Sequence, residues 1–221
     1  MPSPKPVTRH ETIKYLSKPD IERLLQSVKP HSIRDYTILL IAYNHGLRAT
    51  EVGLLKLSDY KQLEKRLYIT RVKGGISNSY LVSDEGSKAL KLWIAIRGNQ
   101  PGPLFVSRRT VINENTEMGI GRKQLDNIFK DYTRRLSNPP IAKDKQHFHV
   151  LRHSIAVEMV DKGVPLVQIK DWLGHRNINS TIVYANVSDK TRDETARMIF
   201  QDNTRENDKN SKVNWKKDKK K

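Results

Sequence analysis

Residues 149–184 read HVLRHSIAVEMVDKGVPLVQIKDWLGHRNINSTIVY. Three short helices are legible here: His149 to Lys162, ended by Gly163; Pro165 to Leu173, ended by Gly174; and Asn179 to Tyr184. Glycine just past a helix end supplies the left-handed residue that terminates it. Polar residues recur at fixed steps: His149 to Arg152 is three residues, Arg152 to His175 twenty-three, His175 to Tyr184 nine. A step of three puts His149 and Arg152 on one helix face. A guanidinium fork beside an imidazole suits phosphate recognition coupled to proton transfer. His153 is expected to point elsewhere and to be structural. Taken singly, each residue has an ordinary reading: His175 as a helix C-cap, Tyr184 as a half-buried packing residue.

Upstream, Arg48 follows Gly46-Leu47 at the start of a short helix over Thr50–Leu55, with Glu51 three positions on as a salt-bridge partner. Lys73 sits at a predicted hairpin. Leu67–Val72 and Tyr80–Val82 alternate in polarity and are rich in β-branched and aromatic residues, and Gly74-Gly75 marks the turn between them. Arg71 and Lys73 both border that turn. The full set is two arginines, a lysine, two histidines and a tyrosine in a chain with no cysteine. That is what breaking a phosphodiester through a tyrosine nucleophile, without a metal, requires.

The rest of the chain reads as helix. Ser17 caps a helix with Ile21, Leu24, Leu25 and Val28 on one face. A second runs from about Ser32 to His45, apolar nearly all round and therefore buried. Further helices cover Glu85–Ile96, Arg122–Leu136 and a last one capped by Ser188, with Ala196, Ile199 and Phe200 forming an apolar stripe. Residues 1–14 read as a Pro- and charge-rich flexible arm, 15–201 as one domain, and 202–221 as a basic disordered tail. The chain has 221 residues, enough for one well-buried domain.

The formal net charge is +17. The segment from Thr204 onward holds eight Lys/Arg against three acids, which leaves +12 on the preceding residues. A body this basic points to a polyanionic partner, most often nucleic acid. The absence of cysteine excludes a disulfide framework and thiolate zinc. No apolar run is long enough to span a bilayer, and the N-terminus has no signal core. A cytoplasmic, nucleoid-associated location is expected.

Gly46-Leu47-Arg48-Ala49-Thr50-Glu51, Val72-Lys73-Gly74-Gly75, His149-Val150-Leu151-Arg152-His153, Leu173-Gly174-His175 and Tyr184 together closely resemble the tyrosine recombinase/integrase family, over roughly residues 15–201. The resemblance implies the family's catalytic-domain (DNA breaking-rejoining) fold, mainly α with a small antiparallel β-sheet. It implies a catalytic set of Arg48, Lys73, His149, Arg152, His175 and Tyr184, supported by Glu51. Arg48 and Arg152 clamp the phosphate, His175 donates to a nonbridging oxygen, His149 accepts the Tyr184 proton, and Lys73 protonates the departing 5′ oxygen. No cofactor or metal is expected. The implied partner is double-stranded DNA with inverted-repeat sites, bound by a homo-tetramer that is a monomer or weak dimer when free.

The sequence departs from the family in two places. The family's lysine usually lies in Gly-Lys-Gly followed by another basic residue, whereas Gly-Gly-Ile-Ser follows Lys73. Few residues precede the catalytic region, so the layout is either that of the single-domain fimbrial phase-variation recombinases or that of a fragment of a longer integrase. Two other readings compete with strand exchange: a type IB topoisomerase, and a DNA-binding relative that does no chemistry. The apolar stripe at Ala196, Ile199 and Phe200 reads either as packing on its own domain or as docking into a neighbouring protomer.

Overall fold

The computed structural model describes residues 13–108, 110, 112, 116, 118–185, 197 and 200. Helix α1 (Lys18–Val28) starts where the Ser17 hydroxyl accepts the Asp20 N–H, and it buries Ile21, Leu24 and Val28. Helix α2 (Ile33–Asn44) is buried on every side from Arg34 to Tyr43, as its apolar pattern predicts. It is the central strut, with α1, α4 (Asp84–Arg97) and α6 (Val150–Asp161) packed around it. Helix α3 (Ala49–Leu54) follows a turn at Gly46 and packs on α5 (Arg122–Arg135). Helices α7 (Leu166–Leu173) and α8 (Asn179–Ala185) close against α6, and Ala156, Val157, Ile169, Leu173 and Tyr184 form a second core beside the main one.

The sheet is antiparallel in the order β1-β2-β3: β1 is Tyr60–Lys61, β2 Arg66–Ile69 and β3 Asn78–Leu81. Leu67 faces Tyr80 in the ladder, and both are buried with Ile69, so one face of the sheet lies on the core. The β2–β3 ladder ends at the pair Ile69–Asn78, so the first strand stops three residues before the predicted Val72 and the second starts two residues before the predicted Tyr80. The reason is Arg71, whose side chain leaves the sheet for a buried carboxylate. Strand β1 is unanticipated, since two residues carry no readable period.

Ile13 and Lys14, assigned by sequence to the arm, already touch the domain: Ile13 packs on the second core and Lys14 pairs with Asp144 at 2.8 Å. Ser188, Ala196 and Ile199 lie outside the described residues, as does the basic tail. Phe200 is helical and 69% exposed.

Candidate active site

A cleft of about 610 Å³ opens between α3, the β2–β3 loop, the N-terminus of α6 and α8. Its walls carry Arg48, Lys73, His149, Arg152, His175 and Tyr184, the whole predicted set, together with His147, His153, Arg122 and Asp126.

Beneath the cleft lies one buried carboxylate. Glu51 has no exposed side-chain surface, and its oxygens accept from the Arg48 backbone N–H (2.9 Å), Arg48 Nη1 (2.7 Å), Arg71 Nη1 (2.9 Å) and the Val72 N–H (3.3 Å). Arg152 Nη1 stands 3.9 Å away. Burial is the strongest single influence on this carboxyl and pushes it up. It is outweighed by Arg71, the hydrogen bonds from Arg48 and the charge of Arg152, so Glu51 titrates below its ordinary value. Three guanidiniums therefore share one anion.

Each arginine is aimed by different contacts. Arg48 is the N-cap of α3 and stays partly open to the cleft. Arg152, on the first turn of α6, is 1% exposed and gives Nη1 to Gly46 O (2.6 Å) and Nη2 to Leu173 O (2.9 Å). Burial, then Arg48, lowers its pKa to about 10, so it remains cationic at neutral pH. Arg71 does not line the cleft. Its Nη2 bonds the carbonyls of His45 (3.0 Å) and Trp172 (2.6 Å), and its guanidinium lies over the Tyr80 ring at 5.3 Å. Arg71 thus ties α2, α3 and α7 together from the base of the loop that carries Lys73.

Two glycines make this packing possible. A Cβ on Gly46 (φ 57°) would meet Leu173 Cδ2 at 2.5 Å, and one on Gly174 (φ 66°) would meet Arg71 Cγ at 2.7 Å. Gly174 also accepts the Ile76 N–H at 3.2 Å, which joins the Lys73 loop to the turn before His175. Lys73 adopts φ 57°, a left-handed conformation that L-residues hold only when their surroundings enforce it.

His175 is 7% exposed, and its Nδ1 lies 2.8 Å from Thr181 Oγ1, which leaves Nε2 for the cleft. Burial, then Arg152 and Arg48, lowers its pKa to about 4, so the ring is neutral at pH 7. Tyr184 is 3% exposed. Burial raises its pKa, opposed by the cations Arg152 and Arg48. Its hydroxyl lies 3.0 Å from His153 Nδ1. The expectation that His153 points away from the site is therefore corrected: His149 and His153 are one helical turn apart and stack edge to face, ring centroids 4.5 Å apart. Arg71, which sequence placed beside Lys73 at the turn, is held by distant contacts to Glu51, His45 and Trp172 that no local pattern reveals, and Thr181, six residues beyond His175, was passed over.

The sequence profile of the phage integrase family matches residues 14–191. The type 1 fimbriae regulatory protein FimB of Escherichia coli K12 is 32% identical over 176 residues, covering 77% of this chain and 82% of FimB. Tyrosine recombinase XerC of Erythrobacter litoralis is 30% identical over 191 residues, covering 83% of this chain and 58% of XerC. Among solved structures, XerA recombinase superposes with a TM-score of 0.67 at 24% identity, covering 89% of this chain and 66% of XerA. The catalytic domain of bacteriophage HP1 integrase superposes with 0.54 at 19%, covering 84% and 94%. The fold is that of the tyrosine recombinase catalytic domain. The chain belongs to the phage integrase family and is a tyrosine-type site-specific recombinase.

Proposed function

We propose that Tyr184 attacks a phosphodiester of double-stranded DNA, forming a 3′-phosphotyrosyl bond and freeing a 5′ hydroxyl. A hydroxyl of a second strand then reverses the step and rejoins the DNA. The observation that carries this reading is one cleft that gathers a buried tyrosine, two arginines anchored on a common carboxylate, and Lys73 on the facing loop.

Negative charge builds on the nonbridging oxygens as the phosphate becomes five-coordinate. Preorganised cations and donors stabilise that charge most, typically by about 10²–10³ in rate for each donor. Arg48 and Arg152 clamp these oxygens, and His175 Nε2 adds a neutral donor. His149, on the cleft wall at the N-terminus of α6, takes the Tyr184 proton. Lys73 gives a proton to the departing 5′ oxygen. The bond energy is retained in the phosphotyrosyl link, so no ATP is consumed, and the cationic side chains take over a metal's task of neutralising charge. Covalent adduct on nicked DNA should therefore form at an unchanged rate in excess EDTA. Loss in EDTA with recovery in magnesium would overturn the scheme, and no adduct under any condition would leave a DNA-binding protein without chemistry.

A sulfur substitution tests the acid. A thiol, with a pKa of about 8.5, leaves without a proton, whereas an alcohol needs one. Lys73→Ala should cleave ordinary DNA about 10²–10⁴-fold more slowly and a 5′-bridging phosphorothiolate nearly as fast as the wild type. Failure of sulfur to restore the rate would remove Lys73 from that role.

The substrate proposed is duplex DNA with inverted-repeat sites, engaged by four protomers, with a monomer or weak dimer in free solution. Support comes from the strongly basic composition and from the XerH structure of the same fold, which superposes with a TM-score of 0.66 and holds a palindromic difH substrate. Relaxation of supercoiled DNA at no particular sequence would instead favour a topoisomerase.

A further inference from the structure

We propose that Ser154 is a positioning residue for DNA cleavage, and that residues 13–16 form a strap that works through it to hold the catalytic turn of α6 in register. The proposal rests on the phosphate-clamp reading of Arg152 above. Ser154 is 3% exposed and stands two residues after Arg152, so it faces away from the cleft that Arg152 lines. Its Oγ accepts the Leu16 N–H at 2.8 Å and donates to the Val150 carbonyl at 2.8 Å. Val150 is the first residue of α6, in the same turn as Arg152. A backbone amide 138 residues away in sequence thus reaches, through one hydroxyl, the carbonyl that begins the catalytic helix.

The strap crosses α6 at three levels. Where it runs into α1, Lys18 pairs with Glu158 at 3.2 Å, one turn beyond Ser154. Leu16, itself buried, bonds Ser154. Lys14 pairs with Asp144 at 2.8 Å, and Lys145 Nζ lies 5.6 Å from the centre of the Tyr15 ring. Asp144 and Lys145 belong to the 3₁₀ turn (Lys143–Lys145) that leads to His149. His149 and Arg152 are therefore bracketed by fastenings on either side. Ile13 and Tyr15 also pack on the second core, which contains Tyr184.

These contacts are unequal. The Lys14–Asp144 pair is half exposed, where screening leaves it little strength. The Leu16–Ser154 bond is buried, so losing the hydroxyl leaves a donor unsatisfied. A serine hydroxyl that bonds back to the carbonyl four residues earlier also bends a helix locally. The Leu16 amide turns that hydroxyl toward Val150, so the strap sets the bend of the turn that aims Arg152. The carbonyls of Gly46 and Leu173 already occupy part of the Arg152 guanidinium. Its remaining donors must meet the phosphate, and a small rotation of α6 misdirects them.

The experiment measures single-turnover cleavage of nicked DNA at saturating protein, with DNA affinity and melting temperature recorded for each variant. Ser154→Ala removes the hydroxyl and Ser154→Thr keeps it. A third protein carries the α-hydroxy analogue of leucine at position 16, which replaces the backbone N–H by an ester oxygen and leaves the side chain intact. Each is tested on ordinary DNA and on DNA with a methylphosphonate at the scissile position. That group lacks the nonbridging charge and leans less on the arginine clamp, and Arg152→Ala calibrates the difference. The expected result is that Ser154→Ala and the Leu16 ester stay folded, bind DNA as the wild type does and cleave ordinary DNA about 10²-fold more slowly. Threonine restores the rate, and both defects shrink on the methylphosphonate as the Arg152→Ala defect does. Where Ser154→Ala does not fold, the ester decides. Wild-type cleavage by the ester would detach the strap from the reaction. A defect that is undiminished on the methylphosphonate, or that follows only lost affinity or the unfolded fraction, would make Ser154 a packing residue. Either result overturns the proposal. Absence of adduct in the wild type, or an Arg152→Ala defect that the methylphosphonate does not relieve, would instead overturn the reading beneath it.

Discussion

Tyr184→Phe should form no covalent DNA adduct while binding its site as tightly as the wild type. The phenyl ring keeps its place in the core formed with Ala156, Val157, Ile169 and Leu173, and only the hydroxyl bond to His153 is lost. One such hydrogen bond is worth about 0.5–1.5 kcal/mol, too little to unfold a domain of this size. Two other tyrosines have other engagements. Tyr132 donates to the buried carboxylate of Asp35 at 3.2 Å, beside Arg108. Tyr80 donates to the Asp171 carbonyl at 3.2 Å and lies against Arg71. Neither lines the cleft. Denaturing electrophoresis of the variant with nicked DNA checks this, and an adduct that persisted would place the nucleophile elsewhere.

Glu51→Gln should damage the protein twice. Removing one member of a buried ion pair leaves the remaining charge uncompensated and costs about 3–5 kcal/mol. Here the uncompensated charges are the guanidiniums of Arg71, Arg48 and Arg152. For a domain of this length the melting temperature should fall by roughly 6–20 °C. Below that temperature Arg48 loses its 2.7 Å anchor, so single-turnover cleavage should also fall, by about 10²-fold or more. The pH dependence separates the charge from the shape. The folded carboxyl titrates below its unfolded value, so its contribution is fully present above the unfolded pKa of about 4.3 and is lost as pH falls through the folded value. Glutamine has no such titration. The stability gap between wild type and variant, measured by denaturation across pH, should therefore be widest near neutrality and narrow in acid. A gap independent of pH would assign the effect to packing alone.

Most of the fold was legible because its helices carry strong local signals. Ser17, Ser32, Gly163 and Gly174 punctuate them, and the burial of α2 follows directly from its composition. The segment from His149 to Tyr184 was the most readable, since three consecutive short helices turn sequence steps into spatial ones. Legibility failed where partners are backbone or distant. Arg71 is held by the carbonyls of His45 and Trp172, groups that every residue carries and no pattern reveals. Strand β1 has two residues and gains its order from pairing with β2. His153 is a different case. Its four-residue step from His149 already placed it on the same face, and that signal was overlooked beside the stronger step to Arg152.

The unequal charge count at Glu51 has a consequence for the resting protein. Three cations converge on a single anion inside a low-dielectric wall, and that arrangement repels itself until another negative group arrives. In the reaction proposed above, the arriving group is the phosphodiester of the DNA. A phosphodiester seated between Arg48 and Arg152 completes an ion cluster that folding alone leaves unfinished. Any ligand that binds the folded state alone stabilises it by mass action. The empty enzyme is then the less stable form of the molecule, and DNA, besides being what it cuts, is the last component of its interior.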